Sequence, residues 1–334
     1  MQKNFTRYFR NDIQIALTAL MILLILLITV ASEASCKYRR AIDDPLGQER
    51  SFVYDVHGEY AVRGAKIHIP SIRKILNTGI KQIACVDNAE QAWKTYLHED
   101  DIIAIKFCSI GGRQLATNTE VCGVLLRILY DIGFKPEQFM IVGLEQLPDE
   151  ASGTIPWKYG WQNESVNFGS GTDHLASWLD QVTAIIHIPS AMDDNITGIR
   201  GAIADMAWSV VKEPGKYYIS NGDPFIAEIY HLPEVRGKIR LTIVNNLRSL
   251  FYGGPEVKQQ YVSEHGSMLF SNDPVAIDRV AMELLAKQRQ ENDLPADAEI
   301  FLTAPHLITA EALDIGYQDL NMIEYRYMKH DKDE

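Results

Sequence analysis

The chain has 334 residues, of which 46% are hydrophobic and 23% charged, and its 44 acidic and 32 basic side chains give a net charge of −12. This composition excludes a disordered or collagen-like chain, and the length is sufficient to bury a core without disulfides or a metal. The acidic excess, with no basic run longer than Arg39-Arg40, argues against a nucleic-acid-binding protein, because phosphate contacts need clustered Lys and Arg.

A long apolar segment follows the amino terminus. Residues 13–30 carry no charge, and as a helix they would be about 27 Å long, close to the thickness of a bilayer core. Lys3, Arg7 and Arg10 precede the segment, as in an export signal, and Ala34 is a small residue at a candidate cleavage site. Residues 1–35 are therefore predicted to be a signal peptide or an uncleaved transmembrane anchor, and both alternatives stay open.

The charges around this segment bear on its orientation. Lys37, Arg39 and Arg40 follow it, so three basic residues flank each side and the positive-inside rule discriminates little. The signal-like layout favours a cytoplasmic amino terminus with the bulk of the chain outside the cytoplasm. We expect a membrane-anchored or exported protein that contacts the membrane through residues 13–30.

The rest of the chain divides by pattern into three parts. Residues 36–60 have no strong pattern and are predicted to be a tether. Residues 61–320 alternate strand and helix signals and are predicted to form one domain. Residues 321–334 are predicted to be a charged, frayed tail.

The four cysteines lack metal-binding spacing. Cys36, Cys85, Cys108 and Cys122 contain no C-x-x-C pair, so neither an iron–sulfur cluster nor a zinc site built from local cysteine pairs is expected. A single disulfide among the last three stays open, and any cofactor is otherwise unknown.

Hydrophobic periodicity predicts the order of elements in the body of the chain. Short apolar runs predict strands and 3.6-residue periods predict helices. Asp273-Pro274 has the pattern of a helix start, with Asp273 as the N-cap. The predicted fold is α/β, with a mostly parallel sheet and helices on both faces, in a single domain behind the N-terminal membrane helix. The predicted strands are 101–110, 138–144, 183–188, 238–244 and 267–270, and the predicted helices are 119–133, 198–211 and the one that follows Asp273.

Two glycine pairs come after predicted strands. Gly111-Gly112 follows the first strand, and Gly253-Gly254 follows the strand at 238–244 after a few residues. Such glycines let the backbone approach a ligand and direct N–H groups at an anion. They serve equally well in tight turns, and neither pair has the spacing of a P-loop or a dinucleotide fingerprint.

Other polar residues of the sequence fit either a functional site or an ordinary structural role. Asp193, Asp194 and Asn195 have the oxygen ligands of a hard-cation site, but they are also common turn formers. His187 lies in an apolar strand and is expected to be a hydrogen-bonded core residue. Residues 145–173, rich in Gly, Ser, Asn and aromatic residues, are predicted to be a long loop or small insertion beside the strand ends.

The stretch from Asp223 to Asp278 resembles a known prokaryotic family. Asp223-Pro224, the strand before Gly253-Gly254-Pro255, and residues 273–278 carry the resemblance. Residues 105–106, 111–112, 135–137, 188–189 and 198–201 also fit. Together they are similar to the family catalogued as domain of unknown function three-six-two (DUF362), over roughly residues 100–290. The resemblance implies association with iron–sulfur chemistry and export in many relatives, but this chain has no ferredoxin module and no spaced cysteines.

The chain departs from the family pattern at polar positions. A family Lys and a His two residues later correspond here to Met192 and Asp194, and a family Lys-Asn pair corresponds to Ala204-Asp205. A family Asn is Cys108, and a family Tyr-His is Tyr217-Tyr218. The candidate ligand-binding residues are Lys106, Gly111, Gly112, Asp194, Asp223, Gly253, Gly254 and Asp273.

Two functions compete on these observations. The lost polar groups favour a diverged family member with an altered or absent catalytic centre, acting as a binding or accessory protein, because losing an essential group costs orders of magnitude in rate. The retained loops favour instead an enzyme that acts on a small anionic molecule at the strand-end glycine loops. Catalytic residues cannot be assigned from the sequence.

Overall fold

The computed structural model describes residues 50–110, 115, 117–296 and 303–330. The predicted membrane segment 13–30 and the glycine pair Gly111-Gly112 lie outside the described residues. Within the described ranges, no helix has the length and apolar character needed to cross a membrane.

Strands and helices alternate along most of the chain. The strands are β1 (Ser51–Gly58), β2 (Val62–Arg63), β3 (Lys66–Ile67), β4 (Ile103–Phe107), β5 (Phe139–Val142), β6 (Trp161–Asn167), β7 (Thr172–Ala176), β8 (Ala184–Ile188), β9 (Ser190–Asp194), β10 (Gly198–Ile199), β11 (Ile239–Leu250), β12 (Val262–Ser263), β13 (Ser267–Ser271) and β14 (Ile323–His330). The helices are α1 (Ile69–Ala84), α2 (Ala89–Tyr96), α3 (Asn118–Asp131), α4 (Ala202–Val210), α5 (Phe225–His231), α6 (Pro233–Arg236), α7 (Pro274–Glu291) and α8 (Pro305–Ala312).

The central sheet has the strand order β14-β1-β13-β11-β8-β4-β5. β13 is antiparallel to both of its neighbours, β1 and β11, whereas the other neighbouring strands in this order pair in parallel. The described residues therefore form one mixed α/β domain with a mostly parallel sheet, as the sequence predicted. Five observed strands match predicted ones. In chain order, β4, β5, β8, β11 and β13 correspond to the predicted strands 101–110, 138–144, 183–188, 238–244 and 267–270.

Helices cover both faces of this sheet. In β4 the side chains of Ile103, Ile105 and Phe107 enter one hydrophobic cluster, together with α1, α2 and α3, while Ala104 enters the other. The second cluster holds α4, α5, α7 and α8. Because successive side chains of a strand point to opposite faces, a continuously apolar strand such as β4 needs a covered surface on both sides.

The structure corrects the predictions for the two ends of the domain. Part of the predicted tether, Ser51–Gly58, is the strand β1, and most of the predicted tail, Ile323–His330, is the strand β14. The two strands pair in parallel from Ser51 opposite Ile323 to Gly58 opposite His330. Each obtains its hydrogen bonds from a partner at the other end of the chain, so the local sequence pattern does not reveal the pairing.

Two buried aspartates accept hydrogen bonds from the first N–H groups of helices. Asp273 is the N-cap of α7, as predicted, and its Oδ1 accepts hydrogen bonds from the N–H groups of Val275 at 2.9 Å and Ala276 at 2.8 Å. Asp278, one turn further along α7, accepts hydrogen bonds from the first N–H groups of α4. Both residues therefore fix the start of a helix on the face where α4 and α7 pack.

Candidate functional site

Three polar side chains meet under the carboxyl ends of β4 and β8. Lys106 in β4 is opposite His187 in β8, and Asp205 reaches both from α4. The Lys106 ammonium forms an ion pair with Asp205 Oδ2 and donates to the Asp205 carbonyl oxygen at 3.2 Å. His187 Nε2 lies 2.8 Å from the same Oδ2. Lys106 and Asp205 are each 2% exposed and His187 is 0% exposed, so this group is sealed from solvent.

Arg200 connects this group to Asp194. Its Nη1 lies 3.3 Å from Asp194 Oδ2, and its Nε lies 4.0 Å from Asp205 Oδ1. Its guanidinium also stacks over the ring of Trp208, 4.5 Å from the centroid. The other oxygen of Asp194 accepts hydrogen bonds from the backbone N–H groups of residues 196 and 197. Asp194 is thus fully engaged within the protein.

The glycine pair after β11 packs against Asp193. Asp193 Oδ2 accepts a hydrogen bond from Gly254 N–H at 2.9 Å, and its Oδ1 forms an ion pair with Arg289 from α7. A Cβ atom on Gly254 would lie 1.7 Å from the Asp193 carbonyl oxygen, and Gly253 has a φ of 74°. The two glycines are therefore required by a close backbone approach and a left-handed turn, and this is the structural alternative to a ligand cradle.

Six charged side chains, of which Arg289 is half-buried and the other five are buried, form what we call the buried charge network: Lys106, Arg200, Arg289, Asp193, Asp194 and Asp205. Its cations and carboxylates are equal in number and pair with each other. Burial raises the pKa of Asp205, but Lys106 and His187 outweigh this and hold it well below its usual range. Burial lowers the pKa of His187 to about 4, so its ring is neutral at pH 7. The network has no surplus positive charge for an anion.

Cys108 lies at the edge of the network. Its Sγ donates to the carbonyl oxygen of Ile110 at 3.5 Å, and burial, reinforced by the nearby Asp205, raises the pKa of its thiol to about 12. Cys108 and Cys122 are buried free thiols, and Cys85 is half-buried. In the part of the chain that the structure describes, no group of three or more His, Cys, Asp or Glu side chains is arranged to hold a metal.

A pocket of about 210 Å³ opens beside the network. Burial raises the pKa of Asp193, which lines this pocket, against the opposing charge of Arg289. The pocket is small compared with most ligand sites, which are about 300–1,000 Å³. Its polar lining residues are Asp193, Asp194, Asn195, Asn221, Tyr252 and Arg289.

The other sequence candidates lie apart from the network. Asp223 Oδ1 accepts a hydrogen bond from the hydroxyl of Thr309 in α8 at 2.5 Å. Asp273 caps α7 and also accepts from Ser51 Oγ at 2.5 Å and from Tyr317 N–H at 2.9 Å. The structure therefore brings together Lys106, Asp194, Gly253 and Gly254, whereas Asp223 and Asp273 bond to other protein groups away from the network.

Sequence reasoning missed the two arginines of the network. Arg200 lies between two glycines at the predicted helix start, and Arg289 lies within a helix of mixed charge, so neither stands out by pattern. In the sequence, Asp205 stands out only as a departure from the family pattern. Its spacing of 99 residues from Lys106 gives no local signal of their pairing. His187 is the hydrogen-bonded core residue that the apolar strand predicted.

The fold and the network together define an α/β protein with a charge-paired centre under the carboxyl ends of its parallel strands. Lys106 and Asp205 are sealed from solvent in this centre, and Asp193 and Arg289 line the pocket beside it. A family model described as Domain of unknown function (DUF362) matches residues 144–283, a range that contains four of the six network residues. This match supports membership of the chain in that family, and it confirms the resemblance seen in the sequence. No curated protein matches the chain.

Proposed function

We propose that this chain is a diverged member of its family that acts as a binding or accessory protein, with no catalytic role for Lys106. The observation that carries the proposal is the ion pair between the buried Lys106 and Asp205. A ligand that drew the ammonium away would leave the buried carboxylate of Asp205 without its main partner, and breaking a buried pair costs about 3–5 kcal/mol.

The charge balance of the network supports the same conclusion. Each of its cations has a carboxylate partner at ion-pair distance. A site for a small anion needs positive charge that is not already neutralised, because the anion must replace its hydration with protein contacts. The glycine loop beside the network is also occupied, by the backbone of Asp193.

Thermal unfolding of the full-length protein tests this structural role of Lys106. We expect Lys106→Met to lower the melting temperature by about 10 °C, because it leaves Asp205 buried without its main partner. The exposed Lys66 supplies the matched control, and Lys66→Met should leave the melting temperature nearly unchanged. A Lys106→Met variant that keeps its stability but loses a bound molecule would instead favour the enzyme.

The second candidate function is that of an enzyme, and the environment of Asp193 favours it. Asp193 has a raised pKa, lines the pocket of about 210 Å³, and faces Arg289 there. A carboxyl group of this kind is suited to proton transfer.

Native mass spectrometry of the full-length protein separates the two candidates at this pocket. Asp193→Asn removes the carboxyl group, and Asp180→Asn changes an exposed aspartate as the control. Conversion of a co-purified molecule by the wild type and the control, but not by Asp193→Asn, decides for the enzyme. A molecule that is retained without conversion, or a clean apo mass, supports the binding or accessory role.

Membrane attachment through residues 13–30 belongs to the same proposal, with the domain outside the cytoplasm. The support is the uncharged apolar run and the basic residues before it. The full-length chain should sediment with membranes and resist extraction by high salt. Recovery in the soluble fraction of a chain that still contains residues 1–35 would contradict the attachment.

A further inference from the structure

Arg240 occupies an irregular position in β11. Ile239 is opposite Ile185 of β8 and Leu241 is opposite Ile186, so Arg240 is an extra residue without a partner in the ladder. Ile239 packs against one core cluster and Leu241 belongs to the other. A β-bulge of this kind changes the direction of the extra side chain, and bulges are frequent beside functional sites.

The bulge directs Arg240 to a small cavity at the amino end of β11. The cavity has a volume of about 40 Å³. Arg236, at the end of α6, contributes a second guanidinium, and Thr242 and Ser271, opposite each other in β11 and β13, form part of the wall. Arg236 and Arg240 are half-buried, so the cavity opens at the surface.

Two guanidinium groups give this cavity positive charge. Across the described ranges, neither Arg236 nor Arg240 forms an ion pair with a carboxylate. The buried Nε of Arg240 has no hydrogen-bond partner among the residues that the structure describes. Arg236 Nη2 donates to the carbonyl oxygen of Asp314 at 2.9 Å, and its Nη1 lies 3.5 Å from His231 Nδ1. A buried donor without an acceptor is costly, and a charged one more so.

The neighbouring polar groups have partners elsewhere. Ser271 Oγ donates to the carbonyl oxygen of Phe52 at 2.8 Å, and Asn272 Nδ2 donates to that of Ile83 at 3.2 Å. The carboxylate of Asp273 accepts from Ser51 and from backbone N–H groups. The two guanidinium groups therefore supply the recognition, and the remaining residues form polar walls.

We propose that this cavity binds a small oxyanion between Arg240 and Arg236. A planar guanidinium matches the oxygens of a phosphate, sulfate or carboxylate group, and an anion would satisfy both the charge and the unpaired Nε. A single water needs about 10–15 Å³ on the same scale of volume, so the cavity accommodates an inorganic anion or the terminal group of a larger molecule, and not a whole cofactor. The site is independent of the buried charge network and of the function proposed for it.

Isothermal titration of the full-length protein with inorganic phosphate, at constant ionic strength, tests the site. We expect saturable binding that is at least tenfold weaker in Arg240→Gln. Arg73→Gln is the matched control, since it removes the same charge from an exposed arginine paired with Asp131, and its affinity should equal that of the wild type. Parallel titrations with sulfate and acetate distinguish a tetrahedral oxyanion from a carboxylate.

Thermal unfolding of the variants shows whether a loss of phosphate binding comes from a loss of folding. Arg240→Gln replaces an unpaired charge by a neutral amide, so it should fold without phosphate, and phosphate should raise the melting temperature of the wild type but not of this variant. If Arg240→Gln does not fold, the same comparison with Arg236→Gln decides. Equal affinity for the bound anion in the wild type and the folded variant would overturn the proposal, and so would the absence of saturable binding of phosphate, sulfate and acetate by the wild type up to about 10 mM.

Discussion

Gly201 leaves the space that the carboxylate of Asp278 occupies. The Asp278 oxygens accept hydrogen bonds from the N–H groups of Ala202 at 2.5 Å and Ile203 at 2.9 Å, at the first turn of α4. A Cβ on residue 201 would lie 2.2 Å from Asp278 Oδ1. This contact joins α7 to the start of α4, the helix that carries Asp205, and so determines where Asp205 meets Lys106.

Removing the Asp278 carboxyl group should destabilise the fold. Asp278→Ala leaves the first N–H groups of α4 buried without acceptors, and we expect a loss of about 2 kcal/mol in the free energy of unfolding. Burial raises the pKa of Asp278 to about 7, so a neutral side chain is compatible with this position. Asp278→Asn should therefore lose less, as measured by urea denaturation. Equal losses in the two variants would show that the cap does not act through its acceptor oxygens.

Gly254 should be intolerant of any side chain. Its Cβ would overlap the carbonyl oxygen of Asp193, which is backbone and cannot rotate away. We expect Gly254→Ala to lower the free energy of unfolding by about 1–3 kcal/mol or more. Gly215 serves as the control, because no described atom beyond its chain neighbours lies within 4 Å of the position that its Cβ would take, and Gly215→Ala should be nearly neutral. Similar melting temperatures for both variants would refute the close approach.

The central fold was largely predictable, and the reasons differ from element to element. The apolar residues of β4, β8 and α3 follow the spacing expected of buried strands and helices, so the local sequence is enough to predict these elements. β1 and β14 were missed because their pairing depends on residues at opposite ends of the chain. The site was predictable only in part. Lys106 and Asp205 each stand out in the sequence, but the ion pair depends on the directions of side chains from a strand and a helix.

The buried His306 should make the protein sensitive to acid. It is 0% exposed, neither ring nitrogen has a hydrogen-bond partner among the described residues, and burial lowers its pKa to about 3. Because the folded-state pKa lies below the usual value of about 6.5, the folded state is favoured above pH 6.5 and loses this advantage as the pH falls towards 3.

A histidine replacement measures this effect. Relative to the wild type, His306→Leu should gain about 1.4 kcal/mol of unfolding free energy for each pH unit below about 6.5, or about 2 kcal/mol at pH 5. Urea denaturation at pH 7, 6 and 5 gives the comparison, with the exposed His98 changed to Leu as the control. Parallel pH profiles for the wild type and His306→Leu would mean that His306 is not the group that titrates.

The cysteines should differ in reactivity. Cys108 is buried with its pKa raised to about 12, and burial also raises the pKa of Cys122. Cys85 is half-buried at the end of α1. Since the thiolate is the reactive form, iodoacetamide at pH 8 should modify Cys85 in the folded protein and spare the other two until urea is added. Peptide mapping by mass spectrometry reads the sites, and rapid native labelling of Cys108 would contradict its burial beside Asp205.

A double-mutant cycle on Lys106 and Asp205 tests the central claim most directly. The free energy of unfolding is measured for the wild type, Lys106→Met, Asp205→Leu and the double variant. A closed pair predicts that each single variant loses about 3–5 kcal/mol and that the double variant loses far less than their sum, because no buried charge is left unpaired. Additive losses, or single variants that lose less than about 1 kcal/mol, would contradict a sealed network and return Lys106 to the role of a ligand-binding residue.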